Sequence, residues 1–83
     1  MAKEVYCCIK QAIDRGELKE PFNSDDFRNI CKDEFKENTY KTFLNKHKLG
    51  NGKETELFKK NENEKTYILI RPFKYDCING DVI

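Results

Sequence analysis

What most constrains this 83-residue chain is a change of hydrophobic period at Gly50-Asn51-Gly52. Before these glycines, apolar residues recur every three or four positions, the spacing of a half-buried helix; after them they alternate, the spacing of a half-buried strand. Helices followed by a hairpin in one small unit make an α+β fold. Val5, Cys8, Ile9, Ala12 and Ile13 form one stripe of a first helix over residues 3–15. Lys3, Cys7, Lys10 and Asp14 lie opposite, and Gly16 is its stop. Pro21 bars a helix interior, so an extended piece is expected around Pro21-Phe22. Asn23 or Ser24 caps a second helix, with Asp25 and Asp26 in its first turn. Phe27, Ile30, Cys31 and Phe35 make its stripe, and it should end near Lys36 or Glu37. Asn38 or Thr39 then caps a third helix after only a tight turn.

On a helical wheel the third helix has two unlike faces. Tyr40, Phe43, Leu44 and His47 fall together, while Asn38, Lys41, Thr42, Asn45 and Lys48 fall opposite, with Thr39 and Lys46 on the flank. Past the glycines, residues 54–59 and 65–71 read as strands, and residues 60–64 as the polar turn of an antiparallel hairpin. Pro72 ends the second strand. A domain over residues 3–73 and a tail over 74–83, without periodic signal and prone to fray, follow. The expected core joins Tyr40, Phe43 and Leu44 to Ile9, Ile13, Phe27 and Ile30, closed by Leu57 and residues 67–70.

Composition narrows the function classes. The hydrophobic fraction is 37% and the charged fraction also 37%, against roughly 45–50% and 25% in ordinary domains. The longest apolar run, Tyr67-Ile68-Leu69-Ile70, is far too short to span a bilayer. Met1-Ala2-Lys3-Glu4 leads into no apolar stretch, so no secretory leader and a cytoplasmic location are expected. Ten aromatic residues and a net charge of +1 argue against disorder. The four cysteines, at 7, 8, 31 and 77, contain no Cys-x-x-Cys pair, and His47 is the single histidine. Reduced thiols in a cytosolic protein are therefore expected, with Cys8 and Cys31 buried and Cys7 exposed and reactive. Convergence of Cys31, His47 and Cys77 on zinc is disfavoured by their spacing. His47, on the apolar side of its helix, is expected as a half-buried structural histidine. No phosphate loop, catalytic triad or acid–base pair is present, so neither an enzyme nor a cofactor is expected.

Two tightly joined helices, the second with a polar face, followed at once by a hairpin, form the order of a helix-turn-helix with a wing. The segments Thr39-Tyr40-Lys41-Thr42-Phe43-Leu44, Gly50-Asn51-Gly52, Glu56-Leu57-Phe58 and Lys65-Thr66-Tyr67-Ile68-Leu69 carry a resemblance to the winged-helix DNA-binding family. In particular the chain resembles small bacterial winged-helix domains that occur alone or beside restriction endonucleases. The resemblance covers roughly residues 3–71. It departs where related hairpins often place Gly before the Lys-Tyr of the second strand, since this chain has Asn63-Glu64 there.

The resemblance implies a three-helix winged helix-turn-helix with a C-terminal β-hairpin wing, binding double-stranded DNA in a regulatory role such as transcription regulation, or in targeting. Charge runs the same way. Residues 1–37 hold seven basic and nine acidic side chains (−2), residues 38–60 six and two (+4), and residues 61–83 three and four (−1). Local fields of this kind dominate affinity for nucleic acid. The third helix would enter the major groove with Asn38, Lys41, Thr42 and Asn45 toward bases and Lys46 and Lys48 on phosphates, Thr39 being counted with the binding residues. The wing, with Lys59, Lys60 and Lys65, would lie along the adjacent backbone or minor groove, and Lys53 is counted with the binding residues. The competing reading is a winged helix used for protein contact or homodimerisation, with Tyr6 and Cys7 on a surface off the core stripe of the first helix.

Overall fold

The computed structural model describes residues 2–52, 54–77 and 81–82. Three helices, α1 (Ala2–Asp14), α2 (Ser24–Ile30) and α3 (Glu37–Lys46), precede an antiparallel hairpin of β1 (Phe58–Asn61) and β2 (Thr66–Leu69). The protein is α+β. A two-residue strand, β3 (Tyr75–Asp76), pairs antiparallel with β4 (Asp81–Val82). Phe22 bridges Tyr67, its N–H donating to the Tyr67 carbonyl at 3.0 Å and its carbonyl accepting from the Tyr67 N–H at 2.7 Å. The extended piece around Pro21-Phe22 therefore lies along β2, on the side away from β1.

Two local signals act as expected, at the end of α1 and the start of α2. Gly16, at φ +76°, takes the left-handed position after α1. Asn23 and Asp26 form a reciprocal cap on α2: the Asp26 N–H donates to Asn23 Oδ1 at 2.8 Å, and the Asn23 N–H to Asp26 Oδ2 at 3.1 Å.

Helix α2, however, stops at Ile30, nearly two turns short of the expected end. Its continuation is replaced by a corner built around Tyr40. The Tyr40 hydroxyl donates to the Cys31 carbonyl and accepts from the Phe35 N–H at 3.1 Å, and Asp33 takes a left-handed φ of +64°. Phe35 thereby leaves the α2 stripe and packs on Tyr40, ring centroids 6.1 Å apart. Helix α3 then begins at Glu37, with Lys36 as an N-cap that makes no side-chain bond, so Asn38 and Thr39 sit inside the first turn. Arg28 of α2 spans the corner with two bonds to Glu37 and stacks over Tyr40 at 5.2 Å. Tyr40→Phe is expected to cost about 1–2 kcal/mol, by removing a buried hydroxyl that serves two backbone groups. An unchanged denaturant midpoint would show that the corner stands without it.

The hairpin starts later than its alternation suggests. The Thr55 carbonyl and the Leu57 N–H are bonded to His47 at the end of α3, and the Leu57 carbonyl accepts from the Ile70 N–H at 2.9 Å, just past β2. Leu57 and Phe58 N–H both donate to the His47 carbonyl, at 2.7 and 3.2 Å, and Leu49 N–H donates to the Phe58 carbonyl at 2.7 Å. At the turn, Asn61 Oδ1 accepts from the N–H groups of Asn63 and Glu64, and Lys65 takes φ +56°. The left-handed residue of this turn is thus Lys65, not a glycine.

The core gathers Val5, Tyr6, Ile9, Ala12, Leu18, Phe22, Phe27, Cys31, Tyr40, Phe43, Leu44, Leu57, Phe58, Tyr67 and Leu69. Ile13, Ile30 and Ile70, expected inside, are only half-buried. Tyr6, expected on a free surface, is fully buried. The reason is the C-terminal segment, which covers the outer side of α1. Tyr75 meets Tyr6 edge-on at 5.4 Å, Lys10 lies over the Phe73 ring at 4.4 Å, and Gln11 Nε2 donates to the Cys77 carbonyl at 3.0 Å.

The cysteines overturn the expectation of reduced thiols. Cys7 bonds to Cys77 and Cys8 to Cys31, with Cα separations of 5.3 and 6.4 Å, and none of the four is free. Consecutive helical residues point about 100° apart, so neighbouring sulfurs on α1 reach two different elements. Cys7 meets the C-terminal segment and Cys8 the end of α2. A reactive, exposed Cys7 is excluded by the same pairing. His47 is 4% exposed, rests against Phe43 at 4.4 Å and donates from Nδ1 to the Thr55 carbonyl at 2.8 Å. It is a structural histidine. Among the described residues no group of His, Cys, Asp and Glu side chains is placed to hold a metal ion.

Candidate nucleic-acid interface

Helix α3 buries Tyr40, Phe43 and Leu44, which forces the opposite side outward. Asn38, Lys41, Thr42, Asn45 and Lys46 are exposed there and Thr39 is half-buried. Thr42 Oγ1 donates to the Asn38 carbonyl at 2.8 Å. Its proton is used within the helix, and its lone pairs are what it can offer outward. Lys41 makes no ion pair among the described residues. Lys46 lies 3.9 Å from Glu54 at the edge of an open groove lined by Asn38, Thr39, Thr42 and His47.

Asn45 is more than a surface amide. Its Oδ1 accepts from the Tyr67 hydroxyl at 2.7 Å and from Lys60 Nζ at 3.1 Å, tying α3 to both strands of the hairpin. Its carbonyl accepts from Asn51 Nδ2 at 2.9 Å, which holds the loop after α3. Burial pushes the Tyr67 phenol above its ordinary range, so it stays protonated and remains a donor. Lys60 also lies over the Tyr67 ring at 5.6 Å, an arrangement set by the register that puts Lys60 opposite Tyr67.

Glu62, in the hairpin turn, reaches both Lys48 at 3.3 Å and Lys60 at 3.7 Å. The Lys48 ammonium, with Lys60 beside it, holds the Glu62 carboxyl below the usual carboxylate range. Lys59 alternates to the other side of β1 from Lys60, and Lys59 and Lys65 are exposed. Lys53 lies outside the described residues.

The fold therefore joins Asn45, Lys48 and Lys60 into one cluster and lines Asn38, Thr39, Thr42 and Lys46 along a neighbouring groove. Lys59 is directed elsewhere. Glu54, Glu62 and Tyr67 belong to the site although nothing in their own sequence positions marks them. The hairpin register supplies that signal, through the Lys60–Tyr67 pair. Over residues 38–65 seven lysines face four glutamates, a net of +3, and among the described residues three of those lysines are in ion pairs. Set against family models, curated proteins and solved structures, the chain matches none.

Proposed function

We propose that this protein is a winged-helix DNA-binding module, with α3 entering the major groove and the β1–β2 hairpin as its wing. It is read as a non-enzymatic regulatory or targeting module. The observation that carries the reading is the two-sided character of α3. A tightly packed apolar stripe opposes a face of amides, a hydroxyl and ammonium groups, with Glu37 at the helix start as its one acid. The element order supports it, as does the bridge that places Phe22, β2 and β1 side by side.

A second reading, a module for protein contact or homodimerisation, is favoured by the ion pairs that offset Lys46, Lys48 and Lys60. The two disulfides favour it further, being typical of small domains in oxidising compartments, whereas the DNA reading goes with the cytoplasm. A membrane is not part of either reading; no helix among the described residues is long and apolar enough to cross one.

A fluorescence-anisotropy titration on an arbitrary duplex at several salt concentrations separates them. DNA binding predicts affinity falling steeply with salt, and a slope reduced by about one for each phosphate-contacting lysine changed to glutamine. If Lys41, Lys46, Lys59 and Lys60 can all become glutamine without change, the DNA reading fails and the protein-contact reading replaces it. Base contact is tested at Asn38 and Thr42, whose loss should lower affinity for a preferred site by about 1–3 kcal/mol. Asn45 is unsuited to that test because its substitution also releases Lys60 and Tyr67.

A further inference from the structure

A lysine side chain only 14% exposed is unusual in so polar a region, and Lys60 is one; Lys48, at 30%, lies beside it. The Lys60 ammonium is fixed from behind by neutral groups: Asn45 Oδ1 accepts from it, and the Tyr67 ring lies beneath it; the Lys48 ammonium is bonded to Glu62. In front of both sits a single carboxylate, Glu62, which is 69% exposed. Lys60 is held by the fold, whereas the anion reaches it and Lys48 from the tip of a turn. Because the carboxylate partner is largely in solvent, the pairs contribute little to stability, so exchange of one oxyanion for another there is inexpensive.

We propose that Lys60, positioned by Asn45 and Tyr67, forms with Lys48 a phosphate site at the junction of α3 and the hairpin, and that Glu62 occupies it as an internal stand-in until a phosphodiester of nucleic acid displaces it. The choice of a nucleic-acid phosphodiester rests on the DNA reading above; the anion site itself does not. Glu62 thereby lowers affinity for every duplex alike and makes binding self-limiting. A phosphate brings the same oxygen acceptors as the carboxylate and releases a condensed counterion on binding.

The test compares Glu62→Gln with Glu64→Gln, which removes the same charge from the same turn but from a residue outside the cluster. Glu62→Gln is expected to tighten duplex binding about five- to tenfold at low salt and to steepen the salt slope by about one. Glu64→Gln should give a smaller gain, and Lys60→Gln in the Glu62→Gln background should abolish the gain. Equal gains from the two glutamate variants, or a gain that survives loss of Lys60, would overturn the proposal. A second arm measures the thermal midpoint of Glu62→Gln in inorganic pyrophosphate. Stabilisation that depends on Lys60, without duplex binding by any variant, would keep the anion site, assign it to free phosphates and refute the DNA reading. No response to pyrophosphate and none to duplex would overturn the site.

Discussion

Reduction of the two disulfides is expected to lower the melting temperature by tens of degrees. Cross-linking limits the unfolded chain, more so for longer loops. A sequence separation of 23 for Cys8–Cys31 and 70 for Cys7–Cys77 corresponds to about 3 and about 4 kcal/mol respectively. The loops are nested, so the joint effect is smaller than the sum. Even one such term is a large part of the ~5–15 kcal/mol that holds a domain together. The two bonds should also act differently. Cys77→Ser frees the C-terminal segment from α1 and exposes Tyr6, whereas Cys8→Ser releases the corner between α2 and α3. Calorimetry with and without reductant measures the effect, and mass spectrometry after alkylation counts thiols in each state. Four thiols alkylated in the native, unreduced protein, with one melting temperature in both conditions, would return the cysteines to the reduced state expected from their spacing.

Phe58→Ala is expected to be the most damaging single truncation, at about 3–5 kcal/mol. Phe58 is fully buried, and its ring meets those of Tyr6, Phe22, Phe43 and Tyr67 at centroid distances of 6.4, 6.2, 6.0 and 6.3 Å. Those four rings come from α1, the extended piece, α3 and β2, so one cavity loosens every layer at once. The surrounding rings are large and cannot collapse into the space, which places the cost toward the upper part of the range. Urea unfolding followed by circular dichroism measures it; a loss below about 1 kcal/mol would show that the site relaxes and that the aromatic cluster is not the centre of the core.

The exposed face of α3 was legible in the sequence. Asn38, Lys41, Thr42 and Asn45 lie where a helical wheel puts them, with Lys46 at the flank, because Tyr40, Phe43 and Leu44 recur at helical spacing and bury the other side; Lys48, expected on the same face, falls past the end of α3 and is half-buried. What surrounds that face was not. Lys48 meets Glu62 across 14 residues, and Lys60 meets Asn45 across 15. Both contacts depend on where β1 begins, and the bonds from residues 57 and 58 to the His47 carbonyl decide that. A lysine count over residues 38–60 therefore overstated the free positive charge, since Glu62 lies just past its end.

The same division runs through the whole chain. Hydrophobic period, glycine stops and the Asn23–Asp26 cap act between residues at most a few positions apart, so the order of helices and hairpin was determined by the sequence alone. The length of α2, the burial of Tyr6 and the pairing of the cysteines required partners 9 to 70 residues away: the Tyr40 hydroxyl, the C-terminal segment and the opposing sulfurs. Such contacts form only once the elements have packed, because loop closure brings together groups that no local pattern relates. Tertiary structure alone thus decided which lysines stand free, which carry a carboxylate, and which sulfurs meet.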